Sequence, residues 1–510
     1  MAGLWRALLG AALFVAAPAH ATWLEAKSKH FVIYADDNPK RLREFAERLE
    51  RFDAGVRYAI GMDDPQIGNG NRLTVFVLPK TADVQALAGD KTGFLDGFYT
   101  GRVTGPLAYI GKDTGTYGQF SRETVFFHEY THHLMMQDFD APYPEWYVEG
   151  FAEFYSTPKF DHDGSVWFGV PANHRAWGLF NGPKMPVTSL FAGMKPDMAK
   201  EEREVFYGRA WLLTHYLFNG GKRDGQLSKY VRLLAGGASS LDAAHQAFGD
   251  LAQLDKELDH YQRGQMVQFK IDAGKIRVQS IDVAPLSEGA AQVILARAKI
   301  KYELRQPAEA LAAEARSVAA RFPGDPLVER TLAEAELNAG HPEAALAAAQ
   351  GALKADPRST EAMVLEGRAL VEEASAAQDD QKARALFAHA RDVLVTANKI
   401  DTEDPEPLYE YYRSYVSEGV RPTDNALAAL HYASDLAPQD FGARMNSAIA
   451  YLNEGRFKEA RSALTVVAYS PHAESAADLA KRMIADIDAG KGRAALEELA
   501  AGARESAGSR

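Results

Sequence analysis

The sequence predicts an α+β domain followed by an all-α solenoid of helix pairs. Three features carry that expectation. Strand-like and helix-like patterns mix from residue 22 to about 265, alanine-rich helical patterns take over from about 288, and the stretch between them fits neither regime. At 510 residues the chain is also too long for a single core. A formal charge of −12, with no concentrated basic patch, argues against nucleic acid or an anionic membrane surface as the main partner.

The chain opens with "MAGLWRALLGAALFVAAPAHA", which reads as a signal peptide over residues 1–21. Arg6 supplies the positive start, residues 7–17 the apolar run, and Ala19-His20-Ala21 a small-x-small cleavage site. The apolar run is too short to span a bilayer, so an exported protein beginning near Thr22, with no membrane span after signal removal, is expected. The chain has no cysteine. Any metal site in it must therefore use histidine and carboxylate ligands.

Within 22–270, "HFVIYA" (30–35), "LTVFVL" (73–78) and "GPLAYIG" (105–111) read as strands. Between the first two, residues 39–60 have helical spacing, with Leu42, Phe45, Leu49 and Phe52 on one face. Strands come first and helices dominate from residue 120, the order of an α+β domain. Residues 271–287 read as a linker.

Residues 288–490 read as helix pairs. A unit counted from Pro326 to Pro357 places Ala333, Gly340, Ala345 and Ala352 at regular offsets. A register from Phe441 does the same with Ala448, Tyr451, Gly455 and Ala460, and one from Pro407 with Ala426, Ala433 and Pro438. These offsets resemble the tetratricopeptide repeat, a helix–turn–helix of about 34 residues whose small residues let paired helices approach closely. The repeat at about 360–406 departs from the pattern, with an insertion around "EEASAAQDDQKA", and the tail 491–510 reads as disordered.

"SRETVFFHEYTHHLMMQ" predicts a helix, with Ser121 as cap and Glu123 in its first turn. It contains His128-Glu129-Tyr130-Thr131-His132, the pattern H-E-x-x-H. Residues four apart on a helix differ by only about 40° around its axis, so His128 and His132 share a face and suit one zinc ion. His133 is turned away. The motif also arises by chance, and the decision rests on a third ligand. Asp138 follows at the spacing of H-E-x-x-H-x-x-G-x-x-H/D sites, but Met135 stands where those need a turning glycine. The other candidate lies in "PYPEWYVEGFAEFYS" (142–156), where Pro142 and Pro144 break the first helix and a second apolar helix follows. Glu149 and Glu153 share a face of it, and buried carboxylates need partners such as a metal–histidine cluster. A pair of salt-bridged glutamates is the plainer alternative.

H-E-x-x-H followed after sixteen residues by the glutamate of W-x-x-E-G-x-A-E resembles the gluzincin metallopeptidases, and more narrowly the bacterial peptidase-MA-like domains. The likeness extends over about 22–265, through "HFVIYADD" and "FYGRAWLLTHYL". It implies a zincin fold, Zn2+ held by His128, His132 and Glu149, Glu129 as general base, and Glu153 as the carboxylate orienting a ligand histidine. It also implies a bacterial source, and with it the periplasm rather than full secretion.

The chemistry suits those residue types. Two neutral imidazoles and a carboxylate leave zinc positive with one open position for water, whose proton passes to Glu129 as the oxygen attacks a carbonyl. The tetrahedral oxyanion needs a further donor, for which Tyr207 is the first candidate and His215 the second. The aminopeptidases of the clan carry G-x-M-E-N upstream, whereas "GPLAYIG" has no acidic residue, which favours an endopeptidase acting on a peptide or protein. That segment is either an edge strand for an extended peptide or an ordinary core strand. The repeats imply a protein partner or substrate on a concave surface. Two other readings stand beside the peptidase: a non-catalytic interaction scaffold retaining the site, and a zinc hydrolase acting on something other than peptides.

Overall fold

The computed structural model describes residues 23–90, 95, 97–112, 122–137, 142–195, 197–302, 307–470, 473–493 and 496. The leader 1–21, Ser121, Asp138 and most of the tail lie outside the described residues. Among the described residues, no helix is long and apolar enough to cross a membrane.

The N-terminal half begins with β1 (Trp23–Lys27), β2 (Phe31–Asp36), α1 (Pro39–Ile60), β3 (Leu73–Leu78), α2 (Thr81–Ala88), β4 (Gly97–Thr100) and β5 (Leu107–Gly111). The expected helix over 39–60 and strand over 73–78 fall where the spacing put them. Asn38 caps α1 by accepting from the Lys40 amide, and Pro39 suits its first position. Two helices follow, α3 (Arg122–Gln137) and α4 (Glu145–Tyr155). Next come β6 (Lys159–Phe160), β7 (Val166–Phe168), α5 (Ala176–Phe180), α6 (Val187–Ala192), α7 (Lys200–Asn219), α8 (Gln226–Ala235), α9 (Ser240–Phe248) and α10 (Leu251–Tyr261). β8 (Phe269–Ile271) joins β6 and β7 in a small antiparallel sheet, and β9 (Asp282–Pro285) follows it.

The main sheet has the order β4-β5-β3-β2-β1-β9. β2, β3 and β5 run parallel, while β4, β1 and β9 are antiparallel to their neighbours. β5, in the segment 105–111, is therefore an interior strand, and β4 is the edge on its side of the sheet. Residues 271–287 are not a free linker: β9 pairs with β1 from Leu24 opposite Pro285 to Lys27 opposite Asp282. Sequence periodicity hid this strand because it is four residues long and mostly exposed.

Strand alternation divides the sheet cleanly. Phe31, Ile33, Val75, Val77, Ala108 and Ile110 face α1 and α3 in one core. On the opposite face Tyr34, Phe76, Tyr109 and Phe98 form a ladder across four strands, with adjacent ring centroids 5.4, 5.3 and 4.8 Å apart. That aromatic face is covered by α11 (Glu288–Lys301), the first helix of the C-terminal half, through Ala290, Ile294 and Ala298. Tyr109 also donates to the Ala298 carbonyl at 2.8 Å. The two kinds of sequence thus share a core.

The helices continue as α12 (Ala308–Ala319), α13 (Pro326–Asn338), α14 (Pro342–Ala355), α15 (Thr360–Ala376), α16 (Asp380–Ile400), α17 (Pro405–Ser417), α18 (Asp424–Leu436), α19 (Phe441–Asn453), α20 (Phe457–Ala468) and α21 (Glu474–Asp488). Consecutive helices pack as pairs into an all-α solenoid. α13 and α15 start 34 residues apart, 360 minus 326. Ala333, Ala345, Ala349 and Ala352 are fully buried where paired helices meet. Asp325, Ser359, Asp404, Thr423 and Asp440 cap α13, α15, α17, α18 and α19. The insertion read at 372–383 lengthens α15 to 17 residues and α16 to 21 instead of opening a loop.

The solenoid also meets the loops at the β4 end of the sheet. Asn69 N donates to Asp401 at 2.7 Å, Asn71 Nδ2 to the Leu436 carbonyl at 2.6 Å, and Val103 N to Asp440 Oδ2 at 2.7 Å.

Candidate metal centre

α3 brings His128 and His132 onto one face, as their spacing requires, and α4 crosses it with Glu149. α4 is held by its aromatic residues: Trp146 and Phe154 are fully buried, and Trp146 Nε1 donates to Tyr230 Oη at 3.2 Å. Its glycine has a packing reason. A Cβ on Gly150 would fall 2.3 Å from Thr214 Oγ1 and 2.5 Å from the Ala210 carbonyl of α7. Only glycine lets α7 come that close to the face behind Glu149.

The three donor atoms form a small triangle. His128 Nε2 and His132 Nε2 are 3.1 Å apart, and Glu149 Oε2 is 3.4 Å from the first and 3.6 Å from the second. Ligands about 2.0–2.1 Å from a tetrahedral metal ion stand about 3.3 Å from one another, so the triangle has the size of one face of such a site. The donor chemistry agrees. Burial opposes a charge on His128, yet Glu149 and Glu153 draw its pKa up to about 10. Burial likewise opposes charge on Glu149, and the His132 and His128 imidazoles overrule it, holding the carboxylate below its ordinary range. A pocket that pulls this hard for positive charge is matched by a small divalent cation.

Behind the triangle, Glu153 is fully buried and its Oε1 lies 3.3 Å from His128 Nδ1. That places the second α4 carboxylate on the far nitrogen of a donor histidine. Glu153 is itself held by two residues that spacing alone did not single out, His174 and Arg175 of "PANHRAW". His174 Nε2 lies 2.8 Å from Glu153 Oε2, and Arg175 donates to Oε1 at 2.5 and 3.0 Å. Arg175 reaches on to Glu204 at 2.9 Å. The contacts of Glu153 thus come from two segments far from it in sequence, and no local pattern reports them.

Glu129 points toward β4 and lines a crevice with Phe98, Tyr99, Ile110 and Tyr130. Tyr207 on α7 stacks against Arg175, whose guanidinium carbon is 4.7 Å from the ring centroid. Nearby Glu149, together with burial, raises the Tyr207 hydroxyl above its ordinary range, so it stays protonated and able to donate. His215, the second oxyanion candidate, does not serve: its Nδ1 is 2.9 Å from Tyr261 Oη and its Nε2 3.0 Å from the Gly169 carbonyl. Both ring nitrogens are spent in the packing of α7.

His30, Asp53 and Asp64 form a second grouping of donor atoms. It carries its own cations, since Lys29 pairs with Asp64 and Arg57 with Asp53 at 2.9 Å. Burial opposes charge on His30, but Asp53, Asp64 and Glu50 raise it to about 9, so the ring is a further cation. The grouping is an ion network that ties α1 to the sheet and needs no metal.

No protein-family model matches the chain, and no curated protein matches it. Among solved structures the chain is similar to a thermophilic tetratricopeptide-repeat protein of Thermus thermophilus, at 21% identity and a TM-score of 0.30, covering 36% of this chain and 97% of that one. MamA of Desulfovibrio magneticus gives 18% identity and a TM-score of 0.28, over 37% of this chain and 99% of that one. A second MamA structure gives 21% and 0.25, over 31% and 88%.

Proposed function

We propose that the N-terminal half is a zinc peptidase domain of gluzincin type, with Zn2+ held by His128, His132 and Glu149. The observation that carries the reading is the donor triangle, with edges of 3.1, 3.4 and 3.6 Å and Glu153 behind His128. A bound zinc ion supplies Lewis-acid chemistry, acidifying a water and polarising a carbonyl. Glu129 takes the proton of the attacking water and returns it to the leaving amine. Tyr207 donates to the oxygen that gains charge. Glu153, fixed by Arg175 and His174, holds His128 with its Nε2 toward the other two donors.

The substrate in this reading is an extended peptide. β4 is the edge of the sheet and lies beside Glu129, which suits addition of a peptide strand by backbone hydrogen bonds. The chain works as an endopeptidase, since the stretch 105–111 offers no carboxylate for a free amine. A protein partner on the repeats uses a surface other than the one already docked on the loops at 69–71 and 101–105. Export to the periplasm completes the reading.

The test is cleavage of a peptide library by the zinc-loaded protein beside Glu129→Gln. Cleavage that disappears in the variant while zinc stays bound supports the peptidase. Cleavage of equal rate in both would remove Glu129 as base. Zinc bound firmly with no peptide cleaved would favour the scaffold that merely retains the site.

A further inference from the structure

His133, next to the second donor histidine, faces β4 instead of the triangle. It stands four residues after Glu129, so the two share one face of α3. Tyr99 on β4 meets that face. Its hydroxyl oxygen is 2.8 Å from His133 Nδ1, and its side chain lines the crevice that Glu129 lines.

The direction of the hydrogen bonds follows from Arg57, because a guanidinium only donates. Arg57 is fixed by Asp53 at 2.9 Å and by the Asp63 carbonyl at 2.8 Å. Its Nη2 donates to Gln137 Oε1 at 2.8 Å, which turns the amide nitrogen of Gln137 toward His133. Gln137 Nε2 lies 2.9 Å from His133 Nε2 and donates to it. His133 Nε2 is therefore the acceptor nitrogen, and the ring proton sits on Nδ1. That N–H donates to the Tyr99 oxygen. The chain of bonds runs one way, from Arg57 through Gln137 and His133 to Tyr99, and leaves the Tyr99 proton to be given elsewhere.

We propose that Tyr99 is a substrate-binding donor: with its acceptor side filled by His133, it gives its hydrogen bond to a backbone carbonyl of a peptide laid along β4 beside Glu129. The inference rests on the peptidase reading and goes beyond it by fixing the polarity of one contact. A hydroxyl already accepting from His133 is set to donate, so it selects a carbonyl over an amide N–H at that position.

The experiment has two arms on the zinc-loaded full chain. In the first, histidine-labelled protein, with His133→Asn to assign the signal, is read by long-range proton–nitrogen spectra. The expected result is a proton on Nδ1 of His133, and a proton on Nε2 overturns the direction. In the second, Tyr99→Phe raises KM for a cleaved peptide by about threefold to tenfold with kcat within about twofold, the loss of one neutral hydrogen bond made in both ground and transition states. His133→Phe reproduces that loss, and His133→Asn, whose amide N–H replaces the Nδ1 proton, recovers most of it. An unchanged KM in Tyr99→Phe overturns the substrate contact even if the tautomer is as expected. A wild-type protein that binds zinc and cleaves no peptide defeats the peptidase reading, and the substrate contact with it, while the tautomer is still read independently.

Discussion

The amide of Val103 donates to Asp440 Oδ2 at 2.7 Å, across 337 residues of sequence, and ties the turn beyond the edge strand to the capping residue of a helix pair. The other carboxylate oxygen of Asp440 caps α19 by accepting from Ala443 N, also at 2.7 Å. One side chain thus closes a helix and docks the solenoid on the β4 end of the sheet. Asp440→Ala removes a cap and a charge-assisted hydrogen bond, and is expected to cost about 1–3 kcal/mol of unfolding free energy. Ser359→Ala, which removes a cap alone, serves as the comparison and is expected to cost about 1 kcal/mol. Urea midpoints of the two variants measure the difference, and equal losses would deny the docking role.

Glu153→Gln keeps the size of the buried side chain and removes the charge between His128 and Arg175. Zinc affinity is expected to fall about 10- to 100-fold, the usual effect of losing a carboxylate behind a ligand histidine. Chelator competition measures it. Affinity unchanged in Glu153→Gln would reduce the residue to a structural ion pair with Arg175.

A pH dependence of stability is built into the start of α17. Burial raises Asp404 from an ordinary value of 3.8 to about 7, and Glu406 from 4.5 to about 8. Lys301 and Arg368 pull Glu406 the other way, and burial outweighs them. Because the folded values lie above the unfolded ones, the folded chain keeps protons that the unfolded chain releases. The contribution is full below about pH 4 and is lost as pH rises through 7 and then 8. Glu361, buried among Arg297, Lys301 and Arg330, is held below its ordinary range and has the opposite sign at acid pH. Glu406→Gln is therefore expected to flatten the loss of thermal stability between pH 5 and pH 9 relative to wild type. A parallel decline in both proteins would contradict the assignment.

Gly150→Ala tests the approach of α4 to α7. The added methyl meets Thr214 and the Ala210 carbonyl, both buried and neither free to retreat, so the helices must separate. A loss of at least about 1–3 kcal/mol is expected, with weaker zinc binding as Glu149 shifts. Full stability with normal zinc content would show that the glycine has another purpose.

Much of this architecture was legible from spacing. α1 announced itself by period and β3 by its apolar run, and Phe441 marked the start of a helix pair because its register repeats. Glu149 was legible because two carboxylates on an apolar helix demand partners. The short strands β4 and β9 were not, since four residues are too few to carry a period. Nor were His174, Arg175 and Tyr99, which reach the site through chain crossings that sequence does not order. The docking of α11 on the aromatic ladder was hidden for the same reason: alternation along β2, β3 and β5 shows that both faces are apolar, and says nothing of what covers the second one.

The central claim is the ligand set, and zinc content by elemental analysis tests it most directly, on the purified protein beside His132→Ala and Glu149→Gln. One zinc per chain in the wild type, with both variants losing it or holding it far more weakly, is the expected result. Zinc unaffected by Glu149→Gln would transfer the third position to another residue. A wild-type protein that takes up no zinc even after reconstitution would contradict the account.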